Sequence, residues 1–110
     1  MTLMVPQSVV TTGTTPTPIT PTASDTINGS TAGTDGWNLR VITTGTLSNI
    51  SVLDPNFTIQ GNPGTVTALA APATGVRMLL VPKSAINPAT GLVTITSSSQ
   101  AGMTYELYIA

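Results

Sequence analysis

Proline or glycine interrupts this chain so often that no long helix fits into it. Nine Pro and ten Gly are spread over 110 residues. Each Pro removes a backbone donor and clashes with the preceding helical turn, so a helix stops there. Between the interruptions the chain favours Val, Ile and Thr. Branching at Cβ restricts rotamers in a helix and suits the pleated surface of a sheet. One Trp, one Phe and two Tyr are the whole aromatic content. The core therefore rests on Val, Ile, Leu and Ala, and the length allows one domain.

Charge is scarce. Arg40, Arg77 and Lys83 face Asp25, Asp35, Asp54 and Glu106, for a net charge of −1. An average domain carries about a quarter charged residues. Here Ser and Thr supply the polar surface instead. Three scattered cations cannot displace the counterions of a nucleic acid, and they form no patch for anionic lipid. The expectation is no nucleic-acid and no membrane partner. Met1-Thr2-Leu3-Met4-Val5-Pro6 has neither the basic region nor the apolar run of a secretory signal, which points to synthesis in the cytoplasm. With no Cys, the chain has no disulfide and no thiolate chemistry.

Composition changes near Asp25. Thr11 to Thr22 is a Thr/Pro tract that biases the backbone to extended conformations. Residues 1–25 are expected to form an extended N-terminal arm, and residues 26–110 the folded domain. At ~3.3 Å per residue the arm would reach roughly 80 Å. A free tail is the alternative. Val5, Val9, Val10 and Ile19 favour an arm docked on a neighbour.

Beyond Asn28-Gly29 the pattern turns to short strands. Trp37, Leu39 and Val41 alternate on one face of residues 37–43, and Thr44-Gly45 marks a turn. Asn49–Leu53 is expected to end at Asp54-Pro55-Asn56. Phe57–Gln60 is expected to stop at the turn Gly61-Asn62-Pro63-Gly64, before Thr65–Ala70 resumes. Val76–Val81 is apolar on nearly both faces and suits a strand between the core and a partner. Leu92–Thr96 and Met103–Ile109 close the chain, with Met103, Tyr105, Leu107 and Ile109 sharing a face. About seven short strands with turn signals every 8 to 12 residues predict an all-β, compact β-sandwich, jelly-roll-like or immunoglobulin-like.

No residue set for catalysis emerges. There is no His to act as general base or metal ligand. Lys83 beside Ser84 reads as a solvated loop lysine. The four carboxylates are scattered, and Asp35-Gly36 and Asp54-Pro55-Asn56 read as turns rather than calcium ligands. N-x-S/T triplets at Asn28, Asn49 and Asn56 are chance occurrences in a Thr-rich chain. No enzyme activity, cofactor or metal is expected. Trp37 and Tyr105 fall in the core register, leaving Tyr108 as the aromatic contact candidate. Arg40 and Glu106 share the outward register of two strands and can pair.

Several stretches carry a resemblance. They are the Thr/Pro lead-in, Asp25-Thr26-Ile27-Asn28-Gly29, Trp37-Asn38-Leu39-Arg40-Val41 and the turn Ala71–Gly75 leading into Arg77-Met78-Leu79-Leu80-Val81-Pro82. Asn87-Pro88-Ala89-Thr90-Gly91-Leu92-Val93-Thr94-Ile95 and the apolar C-terminal strand complete it. Over residues 20–110 the chain resembles the small β-rich head decoration or head-fibre proteins of tailed bacteriophages, those of actinobacteriophages above all. The resemblance implies a virion structural protein on the outer capsid surface, partnered by the major capsid protein. It also implies a homo-oligomer, a trimer being favoured. Candidate capsid or subunit contacts are Val5, Val9, Val10, Ile19, Leu79, Val81 and Tyr108. A carbohydrate-binding or adhesive β-sandwich module is the other reading.

Overall fold

The computed structural model describes residues 3–57, 63–65 and 69–110, of which 54–57 and 63–65 are described as backbone. Nine strands follow one another among them: β1 (Leu3–Met4), β2 (Ser24–Asn28), β3 (Trp37–Thr44), β4 (Ser48–Phe57), β5 (Pro63–Thr65), β6 (Leu69–Ala71), β7 (Thr74–Val81), β8 (Leu92–Ser97) and β9 (Thr104–Ile109). Short 3-10 turns lie at Gly29–Thr31 and Lys83–Ala85. The expected strand segment Thr58–Gln60, the Gly61-Asn62 half of its turn, and Val66–Ala68 lie outside the described residues.

The strands form two sheets, as an all-β sandwich requires. One runs β1-β2-β8-β4-β5, with β6 also on β4; the other runs β7-β3-β9. The expected alternation in β3 holds: Trp37, Leu39 and Val41 are fully buried. Tyr105 and Leu107 of β9 and Val81 of β7 join them from the same sheet. Ile27, Ile50, Val52, Val93 and Ile95 come from the other. The core is aliphatic around one Trp and one Tyr. At roughly 1.5–3 kcal/mol per buried large aliphatic side chain, this burial is what opposes the chain entropy.

β4 does not end at Asp54-Pro55-Asn56 as expected, but continues to Phe57. Its pairing with β5 shifts register between Leu53 and Phe57. Pro55 sits inside that irregular stretch, the kind of place where a strand tolerates a residue without an amide hydrogen.

The residues expected as an arm touch the domain of their own chain. β1 adds in parallel to β2, Leu3 opposite Thr26 and Met4 opposite Ile27, and Met4 is buried. Gln7 then bridges to the other sheet. Its amide donates to the Leu107 carbonyl and its carbonyl accepts from Ile109, at 2.9 and 2.8 Å. Ile19 exchanges both backbone bonds with Tyr105, at 2.7 and 3.0 Å. Between them the Gln7 side chain ties the loop together. Its Nε2 donates to the Thr15 carbonyl and its Oε1 accepts from the Thr17 amide.

Asp25, the last residue of the expected arm, lies within β2 opposite Ile95 and is fully buried. Its carboxylate accepts from the Thr22 amide (2.9 Å) and the Thr22 hydroxyl (2.6 Å). A buried carboxylate is tolerable only with such donors. Gly33 admits the C-terminus: a Cβ there would overlap the Ala110 carbonyl and the Ile109 side chain.

Candidate interaction surface

The register of the three-stranded sheet fixes its outer face residue by residue. β3 lies between β7 and β9, and its outward positions are Asn38, Arg40 and Ile42. Asn38 stands between Leu80 and Tyr108, Arg40 between Met78 and Glu106, and Ile42 between Val76 and Thr104. The face therefore grades from an apolar column on β7 to a polar column on β9.

The polar column is organised around one carboxylate oxygen. Arg40 Nη1 donates to Glu106 Oε1 at 2.7 Å, and the Tyr108 hydroxyl donates to the same atom at 2.7 Å. The sequence-expected pair of Arg40 and Glu106 thus forms. The Tyr108 hydroxyl and then the guanidinium hold the Glu106 carboxyl below its ordinary range. The Glu106 carboxylate in turn raises the Tyr108 phenol and the Arg40 guanidinium. The trio fixes the orientation of Tyr108, whose backbone is also bridged by Gln7.

The apolar column is unusual for a surface. Val76, Met78 and Leu80 are 45%, 59% and 54% exposed. They alternate along β7, and Ile42, half-buried, continues the patch onto β3. Single exposed apolar residues are ordinary, whereas a contiguous column marks an interaction surface.

This column corrects the expected contacts on the strand. Leu79 and Val81 face inward, opposite Leu39 and Trp37. Val81 is fully buried, and Leu79 packs partly buried against the core. The charge of Arg77 obscures the register in the sequence, because Arg77 shares their inward side. It lies opposite core-facing Val41 yet is exposed, since an edge strand lets a long side chain reach water around its rim. The alternation of β3, where Trp37 and Leu39 face the core, is the signal that assigns the opposite parity to the β7 surface.

A second group of exposed apolar residues lies on the N-terminal segment: Leu3, Val5, Val9 and Val10. Of the residues expected there, Val5, Val9 and Val10 are thus at the surface. Ile19 is half-buried and packs on the core of its own domain. Tyr108 is half-buried on the outer face.

Among the described residues no pocket opens and no three metal-binding side chains gather. No helix among the described residues is long and apolar enough to cross a membrane. No family model, curated protein or solved structure matches this chain.

Proposed function

We propose that this chain is a virion structural protein that decorates the outer surface of a bacteriophage capsid and stabilises contacts between shell subunits. The observation that carries the reading is the exposed apolar column Val76, Met78 and Leu80 on a nearly uncharged sandwich. Such a surface is costly in water and loses little on burial, because few ions must be desolvated. The exposed valines of the N-terminal segment offer a second contact of the same character. Repetition around a symmetric shell turns contacts of modest strength into avid attachment. The protein acts by binding, in this reading, as a small homo-oligomer beside the major capsid protein, and it performs no catalysis.

Co-sedimentation with capsids at low salt and in about 1 M NaCl tests this. Apolar and hydrogen-bonded contacts survive screening that weakens exposed ion pairs. Saturable binding in both conditions is expected. Absence of binding to intact shells rules the reading out, and glycan binding lost on Tyr108→Ala would then support the adhesive module.

A further inference from the structure

Sandwich edges are liabilities, because a row of unpaired amides and carbonyls invites another strand. This fold covers several of them from within. β1 lies along β2, and Gln7 and Ile19 lie along β9. β7 is different. It is eight residues long, ends its sheet, and has no strand or bridge on its second edge among the described residues. The exposed apolar column runs along the same strand.

We propose that β7 joins two copies of this chain, edge to edge and antiparallel, about a two-fold axis through Met78. This deepens the oligomeric part of the proposed function and is tested without capsid, so either can fail alone. In an antiparallel pair, opposite side chains point to the same face, so the axis must pass through a residue. An axis at Arg77 sets like charges directly opposite each other. An axis at Val76 brings Pro72 into the ladder opposite Leu80. An axis at Leu79 brings Pro82 opposite Val76, and proline interrupts a ladder. The axis at Met78 avoids all three. It pairs Met78 with Met78 of the second copy, and Val76 with Leu80 twice, joining two apolar columns into one.

A ladder from Gly75 to Val81 is about 24 Å long, longer than the usual strand of about 17–20 Å. The two Arg77 side chains fall on a diagonal about 7–8 Å apart. Screening their repulsion makes the dimer tighter as salt rises.

The axis has a covalent signature. The chain has no Cys, so an introduced one reports alone. Met78→Cys places two thiols on residues about 4.5–5.5 Å apart at Cα, within disulfide reach. Val76→Cys places them about 13 Å apart, beyond it. Expected under mild oxidation is a disulfide dimer for Met78→Cys, formed at least about tenfold faster than for Val76→Cys. The double variant Val76→Cys/Leu80→Cys should also cross-link. In sedimentation equilibrium the unmodified chain is a dimer, and Leu80→Lys raises its dissociation constant about tenfold or more with an unchanged circular dichroism spectrum. A monomer at hundreds of micromolar, a trimer, or equal cross-linking at positions 76 and 78 overturns the proposal.

Discussion

Removing one oxygen atom should stabilise this protein. The Tyr105 side chain is fully buried, and its hydroxyl has no hydrogen-bond partner. Ser97 is close, but its one hydroxyl hydrogen goes to the Thr22 carbonyl and so cannot be donated to Tyr105. An unsatisfied buried hydroxyl costs about 1–3 kcal/mol. Tyr105→Phe keeps the ring in the core and removes that cost, so a gain of about 1 kcal/mol at pH 7 is expected. The same residue predicts an alkaline transition. Burial pushes the Tyr105 phenol up to about 12 from 10.0, with Ser97 opposing and the Asp25 carboxylate adding. The unfolded chain therefore releases this proton first as pH rises. Stability is intact below about pH 10 and falls up to about pH 12, by on the order of 2–3 kcal/mol over the window. Urea unfolding of both proteins from pH 7 to 12 measures both effects. Tyr105→Phe should have the higher midpoint at pH 7 and a flatter decline above pH 10. A variant weaker by more than about 1 kcal/mol at pH 7 would show that the hydroxyl is bonded, and the reasoning fails.

Three further outcomes are expected. Glu106 has a depressed folded pKa, so its contribution is present above the unfolded carboxylate value of about 4.3 and is lost as pH falls through the folded value. Glu106→Gln should flatten the acid decline in urea midpoint while costing less than about 1 kcal/mol at pH 7, because Arg40 is partly solvated. Met4→Ala should cost about 2–5 kcal/mol in denaturant unfolding, as for any large core deletion; a cost under about 0.5 kcal/mol would show that β1 does not hold. Gly33→Ala should cost about 1–3 kcal/mol through overlap with the Ala110 carbonyl, and removing Ala110 should restore part of it.

The legible parts of the fold were those where one signal dominates. In β3, apolar residues alternate with polar ones, so Trp37, Leu39 and Val41 assign themselves to the core and Arg40 to the outer face. The same alternation in β9 placed Tyr105 inside and Glu106 outside, and from the two followed the ion pair. β7 defeated this logic because it is an edge. Both its faces carry apolar residues, and its one charge sits on the inner side. Only the pairing Trp37–Val81, a contact distant in sequence, resolves the parity. Pro55 read as a terminator because a strand interior excludes proline, whereas an irregular stretch between Leu53 and Phe57 accepts it. The N-terminal segment was opaque for another reason. Its Thr/Pro composition has no periodic apolar pattern, and beyond Met4 much of its attachment runs through backbone bonds at Gln7 and Ile19 that leave no mark in side-chain type.

The scarcity of charge has a structural counterpart in how the hydroxyls are used. Thr43 is buried and donates to the Pro72 carbonyl at 2.6 Å, fastening β3 to the turn before β7. Thr44 donates to the Gly102 carbonyl at 2.7 Å, fastening the same strand to the turn before β9. The buried Ser48 hydroxyl accepts from the Ser99 amide, and Thr31 receives the Trp37 indole N–H. Each is a neutral bond between a short side chain and a group of a neighbouring turn or strand. Such bonds contribute about 0.5–1.5 kcal/mol each and are insensitive to screening. A sandwich stapled this way needs no ions at its surface to hold its loops. The β7 side of its outer face is thereby free to remain uncharged, the condition under which an apolar column such as Val76, Met78 and Leu80 meets another protein without ions to desolvate.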